Sequence, residues 1–175
     1  MVTGLATQLF SGLRAGLPVA LTALLVLAAY LPFGSSEVSR MFPEFALISV
    51  FFWSVYQPHL MPAGAAFLLG FLNDALSGMP LGLSALALVL LQYAALHQRR
   101  AFVGQPFVVG WIGFAVLAAV AMVLIWFGAS IYYFRLFEPS PVAVRLAITV
   151  AVYPVVAELF SWLQRRLYPQ VRYGS

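Results

Sequence analysis

Five carboxylates, two histidines and no cysteine are sparse material for acid–base chemistry or a metal cage in these 175 residues. Without cysteine there is no disulfide framework, no thiolate nucleophile and no thiolate metal site. A membrane serine protease would need Ser130 beside a histidine, but His59 and His97 are expected at the cytoplasmic ends of helices and Ser130 at the opposite side. An aspartyl protease needs two carboxylates sharing one site. Asp74 and Glu158, the acids read as embedded, are expected on opposite halves of a bilayer. The expectation is a protein that is not an enzyme, with no catalytic residue, no metal and no cofactor.

The richest stretch is Gly70-Phe-Leu-Asn-Asp-Ala-Leu-Ser-Gly-Met-Pro-Leu-Gly-Leu-Ser-Ala-Leu86. Asp74 is read as the embedded acid of the first five apolar runs. An intramembrane carboxylate is costly unless paired, neutralised or facing water, so it should face protein. It is a proton or cation site, or it locks two helices together; the second reading is preferred, because relays use several acids. Ala63, Ala66, Gly70, Asn73 and Ser77 recur at helical spacing and permit close helix approach. Gly78, Pro80 and Gly82 suit a tight turn. Arg145, in the sixth run, is expected at the depth of Asp74, and the two are expected to pair. Glu158 should find a local arginine among Arg14, Arg99 and Arg165.

The elements that hold these residues follow from composition. At 63% hydrophobic and 8% charged residues, a soluble domain is excluded. The expected fold is all-α, a polytopic membrane bundle of six transmembrane helices in one integral membrane domain over residues 1–175, with spans at about 16–33, 42–57, 63–77, 81–97, 107–130 and 142–163. Residues 1–13 form an amphipathic pattern expected to lie in the interface. They are not read as a cleaved signal, since the following run is long enough to span. The aromatic segment Ile131 to Pro141 is expected at the opposite interface, and Trp111 and Trp126 as belt residues.

The formal charge of +4 comes from nine arginines and no lysine. Arg14, Arg99, Arg100, Arg165, Arg166 and Arg172 fall on the side of the N-terminus, against Arg40 and Arg135 opposite. By the positive-inside rule both termini are cytoplasmic. Arg99, Arg100, Arg165 and Arg166 are the topology or membrane-lipid contacts, and the high pI carries no nucleic-acid signal.

The segment Gly70 to Leu86 resembles the rod shape-determining protein MreD family, whose members carry a G-x-x-x-D-x-x-x-G-x-P-L-G-x-x-A-L type pattern. Trp53-Ser-Val-Tyr-Gln-Pro58 upstream and Gln98-Arg-Arg-Ala-Phe-Val-Gly-Gln-Pro-Phe107 with Trp111 downstream are also similar to the family, although Gln57 stands where an arginine is often found. The resemblance implies a non-enzymatic component of the bacterial inner membrane in the cell-elongation (rod shape, peptidoglycan synthesis) complex. Its implied partners are MreC and, indirectly, MreB, RodA and the elongation transpeptidase. Gly70, Asn73, Asp74, Gly78, Pro80, Gly82 and Arg145 are then structural or partner-contact candidates. The family's fold is similar to the substrate-binding subunits of energy-coupling-factor transporters, which implies a second reading, a small-solute-binding subunit. Against it, no polar cluster is expected on the outer loops.

Overall fold

The computed structural model describes residues 2–30 and 42–167, with side chains at 16–30 and 42–166. Seven α-helices and one 3-10 turn make up the described residues, with no strand among them. They are α1 (Val2–Tyr30), α2 (Phe45–Tyr56), the 3-10 turn Pro58–Leu60, α3 (Ala63–Ser77), α4 (Leu83–His97), the single turn α5 (Arg99–Phe102), α6 (Phe107–Tyr132) and α7 (Ser140–Leu167). Arg40, Arg172 and the last three residues of the first expected span lie outside the described residues, as do the side chains of the amphipathic N-terminal pattern and of Arg14. That pattern is not a separate helix: the backbone of α1 is continuous from Val2 to Tyr30.

Proline and glycine set most of the boundaries. Pro58 follows the end of α2, where the residue before a proline is pushed out of the helical region, and Gln57 has φ −141°. Pro62 and Pro106 precede the first residues of α3 and α6. Pro141 sits in the first turn of α7, where its missing N–H has no helical partner to lose. The helices alternate in direction: the end of α1 meets the end of α3, and the starts of α2 and α7 meet. The start of α4 packs beside Gly128 near the end of α6.

Of these helices, α6 and α7 are both long and apolar enough to cross a bilayer. The four shorter apolar segments, Gly16–Tyr30, α2, α3 and α4, have 12 to 15 residues. At 1.5 Å per residue the 12 residues of α2 extend about 18 Å, well below the roughly 30 Å of hydrocarbon. α2 is also the centre of the bundle, with every residue from Ala46 to Val55 buried. Its Phe51 packs on Phe102, Phe114 and Tyr153, and its Phe52 and Trp53 pack on Phe160. Its C-terminal end is held by polar contacts. Arg99 Nε donates to the Val55 carbonyl at 2.6 Å, and Gln92 Nε2 donates to the Met61 carbonyl at 2.7 Å just beyond.

One bond between α6 and α7 repairs a defect of sequence. Pro154 lies inside α7 and has no N–H to give the carbonyl of Val150, one turn earlier. Trp111 Nε1 donates to that carbonyl at 2.9 Å. The indole read as a belt residue therefore joins two helices, and Trp126 Nε1 likewise donates to the Phe137 carbonyl at 3.1 Å. Trp111→Phe should strand the Val150 carbonyl and cost roughly 1–3 kcal/mol. Adding Pro154→Ala restores an amide there and should recover most of the loss. Thermal unfolding in mild detergent tests this, and a double variant no more stable than Trp111→Phe alone would contradict it.

Candidate functional site

The Gly70–Leu86 stretch builds a helical hairpin, and α3 with α4 forms the most extensive helix pairing in the bundle. Gly70 makes the close approach possible. A Cβ placed on it would lie 2.5 Å from the amide nitrogen of Ala85 and 2.7 Å from the carbonyl carbon of Ser84. Gly78 closes α3 at φ +68° and Gly82 precedes α4 at φ +104°, both in the left-handed region that favours glycine.

Asp74 is fully buried beside this turn. Gly82 N–H donates to its Oδ2 at 2.8 Å, and Ser84 N–H donates to Oδ1 and Oδ2 at 3.0 and 3.1 Å. The first amides of a helix lack intrahelical acceptors, and Gly82 has no side chain to serve them. Asp74 caps α4 from the end of α3, where the partial positive charge of a helix N-terminus favours an anion. Beside it Tyr30 Oη donates to Asn73 Oδ1 at 3.1 Å, and Asn73 Nδ2 donates to Ser84 Oγ at 3.3 Å, so α1 is tied to the same hairpin.

The expected Asp74–Arg145 pair does not form. Arg145 pairs with Glu44 instead, Nη2 to Oε1 at 2.9 Å, and its Nε donates to the Phe42 carbonyl at 3.1 Å. The physical reason is that backbone amides already occupy the Asp74 carboxylate, while Glu44 stands at the start of α2 within reach of α7. Glu44 lies inside the second expected span and is not among the residues expected to pair. Its one signal is an acid before the first turn of an apolar helix, a place where a negative charge is stabilised. Glu44 N–H also donates to Thr149 Oγ1 at 3.0 Å, and Thr149 Oγ1 donates to the Arg145 carbonyl at 2.7 Å. α2 is thus latched to α7 by side chain and backbone together.

The Glu44 side chain is 11% exposed and that of Arg145 27%. Glu44→Ala and Arg145→Ala should each lower stability by about 1–3 kcal/mol, less than for a fully buried pair, and the double change should cost less than the sum. A thermal double-mutant cycle checks this; additive losses would show that the two side chains do not stabilise one another.

Next to the hairpin opens a cavity of about 630 Å³. Tyr30, Asn73, Ser77, Ser84, Glu44 and Arg145 give it polar groups. Met122, Ile125, Trp126, Phe137 and Val142 give it apolar surface, with Arg135 and Glu138 at the exposed loop between α6 and α7. The polar groups come from the ends and connections of several helices, so no single loop carries them. This gathers a polar cluster where the outer loops alone promise none.

Glu158 does find Arg165, at 2.9 Å, but both side chains are well exposed, so the pair contributes little. Arg166 lies over the Trp162 ring, 4.9 Å from its centroid, and Arg100 is exposed. Arg99, Arg100, Arg165 and Arg166 all occupy the end of the bundle opposite the cavity. His59 and His97 are at that end too, and Ser130 is buried at the cavity end, so the serine and the histidines are kept apart.

A search of curated proteins and a search of solved structures each returned no match to this chain. A family model described as rod shape-determining protein MreD matches residues 14–163, which takes in α2 to α6 whole, the motif hairpin, and most of α1 and α7. The chain therefore belongs to the rod shape-determining protein MreD family.

Proposed function

We propose that this protein is a non-enzymatic, multi-pass component of the bacterial inner membrane in the cell-elongation machinery. It binds MreC and helps organise MreB, RodA and the elongation transpeptidase around peptidoglycan synthesis. The family match across residues 14–163 carries this reading. The geometry supports it in one respect: the side chains with the most chemical potential, Asp74, Glu44 and Arg145, hold backbone groups and helix ends in place. That is the chemistry of a scaffold.

In this reading the six long or apolar helices all span, with both termini in the cytoplasm. The alternating helix directions and the four arginines at one end support that arrangement. A reporter fused after Ser175 should be active in its cytoplasmic form; activity in the periplasmic form would end the six-span topology. Purification in mild detergent or nanodiscs should recover MreC. Recovery of paired ATPases and a coupling subunit in its place would overturn the scaffold reading.

A further inference from the structure

The cavity end of the bundle has the features of a bilayer surface. Every residue from 131 to 141 is exposed, the aromatic ones included: Tyr132, Tyr133 and Phe134 stand out from the end of α6, with Phe134 98% exposed. Aromatic side chains of this kind settle at the level of lipid headgroups. The cavity opening there has an apolar wall, formed by Met122, Ile125, Trp126 and Phe137, and charges of both signs. Its inner charges, Glu44 and Arg145, pair with each other. Its outer charges do not: Arg135 takes part in neither of the ion pairs found among the described residues, and Glu138 accepts a hydrogen bond from Ser140 Oγ at 2.8 Å and no more among them.

We propose that this cavity seats one phospholipid whose zwitterionic headgroup carries a primary amine, of the phosphatidylethanolamine type. Arg135 binds the phosphate, for which a planar guanidinium fork is suited. Glu138 accepts from the ammonium, and one acyl chain lies along the Met122–Phe137 wall. A volume of about 630 Å³ is that of a small-molecule site and takes a headgroup with part of one chain. The two opposite charges at the mouth, Arg135 and Glu138, decide the class. A phosphate with no amine leaves the carboxylate unanswered, and a quaternary ammonium has no N–H to donate to it.

The test uses the full-length protein, delipidated in detergent and then given phosphatidylethanolamine, phosphatidylcholine or phosphatidylglycerol. Native mass spectrometry should retain one phosphatidylethanolamine per chain with at least about tenfold preference over the other two, the factor that one charge-assisted hydrogen bond supplies. The same lipid should raise the unfolding temperature. Arg135→Gln with Glu138→Gln should abolish the preference and leave the lipid-free melting temperature unchanged, since both side chains are exposed. If that variant does not fold, Glu138→Gln alone should still remove the discrimination between the ethanolamine and glycerol headgroups. Equal retention of all three lipids, or a preference that survives the variants, would overturn the proposal. So would binding of soluble phosphoethanolamine as tight as that of the whole lipid, which would make the site one for a free zwitterion.

Discussion

Gly70→Leu should prevent the protein from accumulating as a folded chain. The atoms that a Cβ at Gly70 would meet belong to the backbone of Ser84 and Ala85, and backbone inside a packed hairpin cannot swing aside as a side-chain tip does. One surplus methylene in a packed core already costs about 1–3 kcal/mol, and leucine brings a whole branched side chain. Driving α4 away from α3 also withdraws the Gly82 and Ser84 amides from Asp74, so the loss of packing and the loss of the cap arrive together. Gly70→Ala should show the same effect at lower amplitude. Gly64→Ala, on the same helix with nothing within 4 Å of its added Cβ, should be neutral or stabilising by up to about 1 kcal/mol. Size-exclusion profiles and melting curves in detergent separate these outcomes. A monodisperse Gly70→Leu protein with an unchanged melting temperature would show that α3 and α4 do not need their close approach.

The second large effect belongs to Asp74. Asp74→Ala strands two amides at the start of α4, that of Ser84 buried and that of Gly82 partly so, each deprived of a charged acceptor, and should cost about 2–4 kcal/mol in all. Asp74→Asn keeps one carbonyl oxygen and should fall between wild type and alanine. Because Asp74 and Arg145 engage different partners, their alanine variants should add to within roughly 0.5 kcal/mol. A proton or solute site gives another pattern: Asp74→Asn stable but without function. Melting curves combined with a cell-shape complementation assay distinguish the two, and a fully stable Asp74→Ala protein would remove the capping role.

What was legible in the sequence had its signal in side chains along one helix. The apolar run from Ala63 to Ser77 coincides with α3, and the glycine positions of the Gly78–Gly82 turn are those with positive φ. The partner of Asp74 was hidden for a physical reason. Its ligands are amides, which every residue but proline carries, and only the end of a helix leaves them free. A glycine before α4, with no side chain to cap it, was the available hint. Glu44 and Arg145 were missed as a pair because an apolar run conceals which of its ends meets a distant helix. The cavity was illegible in the same way, since its polar lining is assembled from several helices and is continuous in none.

The bond from Trp111 to the Val150 carbonyl also sets a timetable. While α7 lies alone in lipid, Pro154 leaves that carbonyl facing hydrocarbon with no donor, a state that bilayers penalise. α7 therefore becomes fully hydrogen-bonded when α6 reaches its side, and the short connection between them makes that meeting fast. Until then the newborn chain displays a polar flaw within the membrane, of the kind by which unassembled proteins are distinguished from assembled ones. In pulse-labelled cells Trp111→Phe should prolong the protease-sensitive stage of the nascent protein, and Pro154→Ala should shorten it again.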